Sequence, residues 1–138
     1  MSINWLVFIG VIIVQYVIGA LWYSLIFGKQ WILINHPEGR PSKKEMEEMG
    51  KTATPYYVIQ LVLTTVTAYF QWVFVMENMD KWLETSLLIW VGFLVPMIIQ
   101  TIIWSDPNNK RKLTQVGIMA LHSLVTVILA GWAFAMFG

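Results

Sequence analysis

The chain has 138 residues, of which 57% are hydrophobic and 12% charged, with a formal net charge of +1 and no cysteine. An ordinary soluble domain carries about twice that share of charge, ~25%, and a soluble core of this size has no room for so much apolar surface, so lipid is the expected solvent. The near-neutral balance excludes a nucleic-acid binder built on a basic stripe, and the missing thiols exclude disulfides, thiolate metal sites and thiol redox chemistry.

A hydrocarbon layer of ~30 Å calls for roughly 20 apolar residues per helix, and four such segments follow one another along the chain. The first, residues 5–26, carries only Gln15, Tyr16, Tyr23 and Ser24 as polar side chains besides its tryptophans. It lacks the basic flank and small-residue cleavage signal of a secretory peptide and is expected to be retained. At its far end Trp22, Phe27, Lys29 and Trp31 have the make-up of interface anchors: aromatic rings settle at the headgroup level while a lysine stretches its ammonium to water. Loop 29–54 is the one hydrophilic segment. Within it Ser42-Lys-Lys-Glu45 reads as a capping box and Gly50 as a stop, which predicts a short cytoplasmic loop helix. The second span, 55–76, begins with Pro55 in its first turn, where a missing amide is harmless. A short polar connection forces the third span, 83–104, to lie antiparallel beside it. Gly92 and Pro96 interrupt that third span, and Pro96 is expected to kink it. Asp106-Pro107-Asn108-Asn109 turns the chain into the fourth span, 113–137. The expected fold is therefore all-α and integral to the membrane, a single domain formed by a four-transmembrane-helix bundle.

The first and third loops lie on one side and hold Lys29, Arg40, Lys43, Lys44, Lys51, Lys110, Arg111 and Lys112, whereas the other side holds only Lys81. Under the positive-inside rule those loops are cytoplasmic and both termini outside, in the cell (inner) membrane.

Polar residues inside the spans recur at helical spacing. Gln60, Thr64, Thr67 and Gln71 step by four, three and four along one face of the second span. Gln115, His122 and Thr126 step by seven and four in the last. Gln15, Gly19, Tyr23 and Phe27 step by four in the first, and Gln100 stands near the cytoplasmic end of the third. At ~1.5 Å per residue, Gln15, Thr64, Thr67 and His122 fall near the midplane, and Tyr23, Gln60, Gln100 and Gln115 form a layer nearer the cytoplasm. Two interpretations compete. These groups either hydrogen-bond the helices to one another at ~0.6 kcal/mol each, or they line a cavity open to the cytoplasm, with His122 as its one titratable member deep in the membrane. No Asp, Glu, Lys or Arg lies in a span core, which removes paired-carboxylate catalysis and charged ion paths. Two histidines, His36 and His122, without carboxylate or cysteine support give no expectation of a metal or cofactor. Gly131 and Ala135 give the last span a small-residue face suited to close packing, against the first span or a second copy.

Asn4-Trp5, Gly19-Ala-Leu-Trp-Tyr-Ser24 and Phe27-Gly-Lys-Gln-Trp31 together resemble the opening of a mostly bacterial membrane family, domain of unknown function 1761 (DUF1761). Trp90-Val-Gly-Phe-Leu-Val-Pro96 and His122-Ser-Leu-Val125 are similar to its later segments, so the resemblance covers nearly the whole chain. The family pattern has a proline and one more residue between Tyr-Ser and Phe-Gly, where this chain has only Leu25 and Ile26. The resemblance implies a compact four-span protein and brings no established activity.

Three functions fit the sequence. The first is a multi-pass membrane protein, self-associating as a homo-oligomer, that binds a lipid-like or small amphipathic ligand among Gln15, Tyr23, Gln60, Thr64, Thr67, Gln100, His122 and Thr126. The second is a small oligomeric transporter subunit, although the membrane-buried glutamate of small exporters is missing. The third is a purely structural or interaction protein. An enzyme is least expected, because Ser24 and Ser123 lack a visible base and acid. Membrane lipid is the expected partner.

Overall fold

The computed structural model describes residues 2–138. Helix α1 (Trp5–Leu21) starts at Asn4, whose side chain accepts the Val7 N–H at 3.5 Å. It runs on into a widened π-helical turn, Trp22–Ile26, where the Phe27 N–H donates to the Trp22 carbonyl five residues back at 2.9 Å. The chain then changes direction at Phe27 and forms a short helix, α2 (Gly28–Asn35), which packs against that turn. Sequence spacing alone leaves α2 inside the loop.

Helix α3 (Lys43–Glu77) corrects the expected layout of the loop and second span. It is one helix of 35 residues, roughly 52 Å long at 1.5 Å per residue, so the loop helix and the span are continuous. The capping box forms as the sequence implies, with Ser42 N donating to Glu45 Oε2 at 2.7 Å and Glu45 N to Ser42 Oγ at 3.3 Å. Gly50 does not end the helix and Pro55 lies inside it. A helical glycine costs only about 1 kcal/mol relative to alanine. The carbonyl that the Pro55 ring leaves unpaired belongs to Lys51, which is exposed and open to solvation. The left-handed glycine is instead Gly39, with φ +129°, in the turn before α3.

The third span is a relay. A 3₁₀ turn (Met79–Lys81) leads into α4 (Trp82–Ile89), then a second π-helical turn (Trp90–Leu94), then α5 (Val95–Ile103). The Pro96 interruption takes the form of that widened turn. The ring of a helical proline collides with the carbonyl four residues back, here Gly92, and the Val95-to-Trp90 bond of the π turn moves that carbonyl aside. The last helix is α6 (Lys112–Phe137). Lys112 Nζ donates to the carbonyls of Ile103 and Ser105 at 3.0 and 3.3 Å, closing the C-terminus of α5 with a positive charge.

The described residues are all-helical in their regular structure, and four helices are long and apolar enough to cross a membrane: Trp5–Ile26, Lys43–Glu77, Met79–Ile103 and Lys112–Phe137. Their outer surface is apolar as well. Leu6 is 85% exposed, Phe93 70% and Leu113 86%, a distribution that suits hydrocarbon rather than water.

Helix α6 is the hub, touching α1, α2, α3, α4 and α5. The main core joins Phe8 and Val11 of α1, Ala68, Trp72 and Val75 of α3, and Ala130 and Phe134 of α6, with the Phe8 and Phe134 rings stacked 6.2 Å apart. It occupies the half of the bundle nearer the chain termini, where Asn4 Nδ2 also donates to Phe137 O at 2.9 Å. In the other half α3 stands away: residues 54–63 are exposed on every face, and the Tyr16 hydroxyl donates to the Tyr57 carbonyl across to it. Gly131 meets α4 of the same chain, with Ser86 and Trp82 lying where a side chain at 131 would stand.

Two outcomes follow from these contacts. A Cβ at position 131 collides with Ser86 Oγ, so Gly131→Val is expected to lower stability by about 1–3 kcal/mol, the usual range for overpacking. In thermal unfolding of the solubilised protein, Gly131→Ala combined with Ser86→Ala should recover most of what Gly131→Ala alone loses. At the start of α3, well before its apolar stretch, the Glu45 carboxyl is held below its ordinary value of 4.5 by the Ser42 backbone N–H, then the Ser42 hydroxyl, with a smaller pull from His36. A depressed carboxylate contributes stability above its unfolded pKa and loses it as pH falls through the lower folded value. Once divided by the intrinsic exchange rate at each pH, amide protection at residues 43–47 should therefore be greatest at neutral pH and fall below about pH 4.5, and the Glu45→Gln variant should show little of that pH dependence.

Candidate functional site

The π turn at the end of α1 turns two aromatic side chains toward α6. Trp22 Nε1 donates to the Ile118 carbonyl at 3.0 Å. The His122 ring then lies 5.9 Å from that of Trp22 and 5.2 Å from that of Tyr23. Phe27 stands 5.1 Å from Trp22, and Trp31 of α2 stands 4.5 Å from Tyr23. On the remaining side is Gly19, where an added Cβ would lie 3.5 Å from His122 Nε2. The imidazole is thus walled by two aromatic rings and a bare stretch of α1 backbone.

No group among the described residues hydrogen-bonds to the imidazole, and its Nε2 is buried. Leaving a buried polar atom unpaired typically costs about 1–3 kcal/mol. The local backbone offers no relief, because the Thr126 hydroxyl donates to the carbonyls of both His122 and Ser123, at 3.1 and 3.0 Å. The imidazole is therefore able to donate or accept one bond from a molecule that the protein itself does not supply.

A second cluster lies on another side of α6. Trp90, which opens the second π turn, donates Nε1 to the Ala120 carbonyl and to Ser123 Oγ, both at 3.0 Å. Further toward the termini, Gln71 Nε2 donates to Val127 O at 2.6 Å while Gln71 Oε1 stays unpaired in the core. Sequence reasoning does not reach Trp90. The available signal is an indole N–H in mid-span, which needs an acceptor from a neighbouring helix.

The eight residues expected to line one cavity are not all brought together. Tyr23 and His122 are in contact, and Thr126 is buried one turn from His122. Gln15 is half-buried on α1, one turn from Gly19. Gln60 and Thr67 face outward on α3, where Gln60 Nε2 donates to Thr64 Oγ1 at 3.3 Å and the Thr67 hydroxyl to Leu63 O at 2.9 Å. Gln100 is exposed on α5. Residues 54–63 of α3 are exposed on every face, which takes Gln60 out of any shared interior, and Thr67 is exposed although its neighbour Ala68 is buried. Of the four interface anchors, Lys29 is exposed, while Trp22, Phe27 and Trp31 are half-buried in the aromatic cluster.

Two concavities adjoin these helices. One is a cleft of about 710 Å³ between the 36–41 loop and α3, lined by groups of both signs, with His36 Nδ1 3.3 Å from Glu38 Oε1. The other is an apolar groove of about 340 Å³ between α1 and α6.

The Trp90 bonds are open to a direct check. Trp90→Phe retains an aromatic ring and removes both, so on the scale of hydrogen bonds between membrane helices it should lower stability by about 0.6–1.7 kcal/mol. Unfolding of the solubilised variant, followed by circular dichroism, gives that difference; a loss below about 0.3 kcal/mol, half the average bond, would show that the contact does not hold the second π turn to α6.

The family described as "Protein of unknown function (DUF1761)" matches residues 5–135. No curated protein and no solved structure matches the chain. The match takes in α1 to all but the last residues of α6, including Trp22, Trp90 and His122 and the helices that hold them. The protein therefore belongs to the DUF1761 family.

Proposed function

We propose that this member of the DUF1761 family is a multi-pass membrane protein that binds a small lipid-like, amphipathic molecule between its helices, with His122 as the main polar contact. The basic loops face the cytoplasm in this proposal. The observation that carries it is the His122 imidazole: it sits in an apolar helix bundle, between the rings of Trp22 and Tyr23, with no hydrogen-bond partner among the described residues. An ionisable side chain inside the apolar part of a membrane protein marks a functional position by default. The aromatic walls suit the apolar body of a ligand, and the imidazole suits a hydroxyl or carbonyl.

The competing proposal is a structural role, in which His122 only fills space beneath the Trp22 indole. It is favoured by the burial of Nε2. His122→Phe separates the two, since it keeps a ring of similar size and removes both nitrogens. Small molecules extracted from the purified protein should include one amphiphile at about one per chain, and the variant should retain at least tenfold less of it, with its helix content unchanged. Identical extracts from the two proteins would leave His122 with a packing role.

A further inference from the structure

The groove between α1 and α6 has a shape and chemistry of its own. Along α1 it runs from Leu6 to Ile18, roughly 18 Å at 1.5 Å per residue, and along α6 from Phe137 back to Leu129. Its volume of about 340 Å³ is near the lower end of small-ligand sites, about 300–1,000 Å³, so it is long and thin. Gly10 lies in its wall, and a Cβ built there meets nothing within 4 Å. The space beside this glycine is open, and no neighbouring side chain fills it.

The wall carries no charged group; its polar side chains are the Gln15 amide and, at the end near the termini, the Trp132 indole N–H. No hydrogen bond among the described residues engages the amide, which stands near the end of the groove furthest from the termini. One turn further along α1 comes Gly19, against which His122 Nε2 rests. Hydrocarbon suits the aliphatic wall between Gln15 and the half-exposed Trp132 but leaves the Gln15 amide without a partner, and a charged head would be buried without a counter-charge.

We infer that a neutral single-chain amphiphile lies between α1 and α6, with its hydrocarbon chain along Gly10 and Ala133 and a terminal hydroxyl or carbonyl hydrogen-bonded to Gln15. The inference rests on the ligand-binding function proposed above and names its ligand class. The groove floor includes Val11 and Ala130, which also belong to the packed core, so the slot is formed before the ligand arrives. At its terminal end Trp132 and Phe137 meet edge to face, 5.5 Å apart.

The test uses the full chain in detergent micelles, with 1-hexadecanol, hexadecane and palmitate as probes and native mass spectrometry as the readout. Hexadecanol is expected to bind once per chain, and the alkane and the carboxylate at least tenfold more weakly. Gly10→Leu starts its side chain where a Cβ meets nothing within 4 Å and directs it into the groove, so hexadecanol binding should fall at least tenfold while circular dichroism shows unchanged helix content. Gln15→Leu should bring alcohol and alkane to the same affinity. Wild-type affinity in Gly10→Leu would overturn the placement of the chain, and equal binding of alcohol and alkane by the unaltered protein would overturn the role of Gln15. His122→Phe keeps the two proposals apart. If it strips the co-purified amphiphile while Gly10→Leu does not, the groove assignment fails and ligand binding at His122 stands. Loss in Gly10→Leu alone supports the groove and removes His122 from the site. If neither variant changes what is bound, both proposals fail.

Discussion

The bundle depends on side chains that donate hydrogen bonds to the backbone carbonyls of α6. A carbonyl has two lone pairs, and an α-helix uses one of them. The free lone pairs of Ile118, Ala120, Val127 and Phe137 are taken by Trp22, Trp90, Gln71 and Asn4, which come from the other three candidate spans and the cap of the first. Where water is absent, an indole N–H or an amide has few other acceptors. Each bond contributes only ~0.6 kcal/mol on average in membrane proteins, so the set fixes register and rotation. Contacts such as Phe8 against Phe134 and Ser86 against Gly131 supply the close packing.

The two π turns follow from the same constraint. Both begin at a donating tryptophan, Trp22 or Trp90, and each replaces one four-residue hydrogen-bond step by a five-residue step. The extra residue rotates the helix beyond it by about a quarter turn relative to an unbroken α-helix. In α1 that rotation accompanies the placement of Tyr23 beside His122 and the change of direction into α2. In the third span it makes room for Pro96. Single-turn π insertions of this kind are frequent at functional sites, and here one of them carries the Trp22 and Tyr23 rings that flank His122.

Much of this architecture is legible in the sequence. Apolar runs of about 20 residues identify the four helices long and apolar enough to cross a membrane, and Ser42 with Glu45 fixes the start of α3 because the capping box is a local device whose partners are three residues apart. What escapes is whatever depends on a neighbour. Gly50 and Pro55 suggest a stop and a start, yet whether a helix continues through them turns on how the loosened carbonyls are solvated. The stripe of Gln60, Thr64, Thr67 and Gln71 is correct as a helical face, but periodicity cannot tell that residues 54–63 are exposed on every face and Thr67 with them, so only Gln71 reaches the core. Trp22 and Trp31 have the composition of interface anchors, and only the turn at Phe27 folds them back against the bundle. His122 could be singled out as the one titratable group at mid-depth, whereas its missing partner is a property of the surroundings.

The bundle is also uneven along its length, and this asymmetry bears on binding. In the half near the termini Phe8, Val11, Trp72, Val75, Ala130 and Phe134 form a continuous core, and the groove along Gly10 uses the back of that core as its floor. Such a slot resists deformation, because moving Val11 or Ala130 would disturb the packing behind them. Beyond Gln15 the support thins, since α3 has left the bundle and the aromatic cluster is held by the π turn and α2. Local opening free energies follow contact density, so motion is expected first around Tyr23 and His122. A hydrocarbon chain gains from a rigid slot, which needs no ordering on binding, and a polar head gains from surroundings that can rearrange to meet it. The fold places these two environments end to end along the α1–α6 seam, which is the arrangement an amphiphile requires.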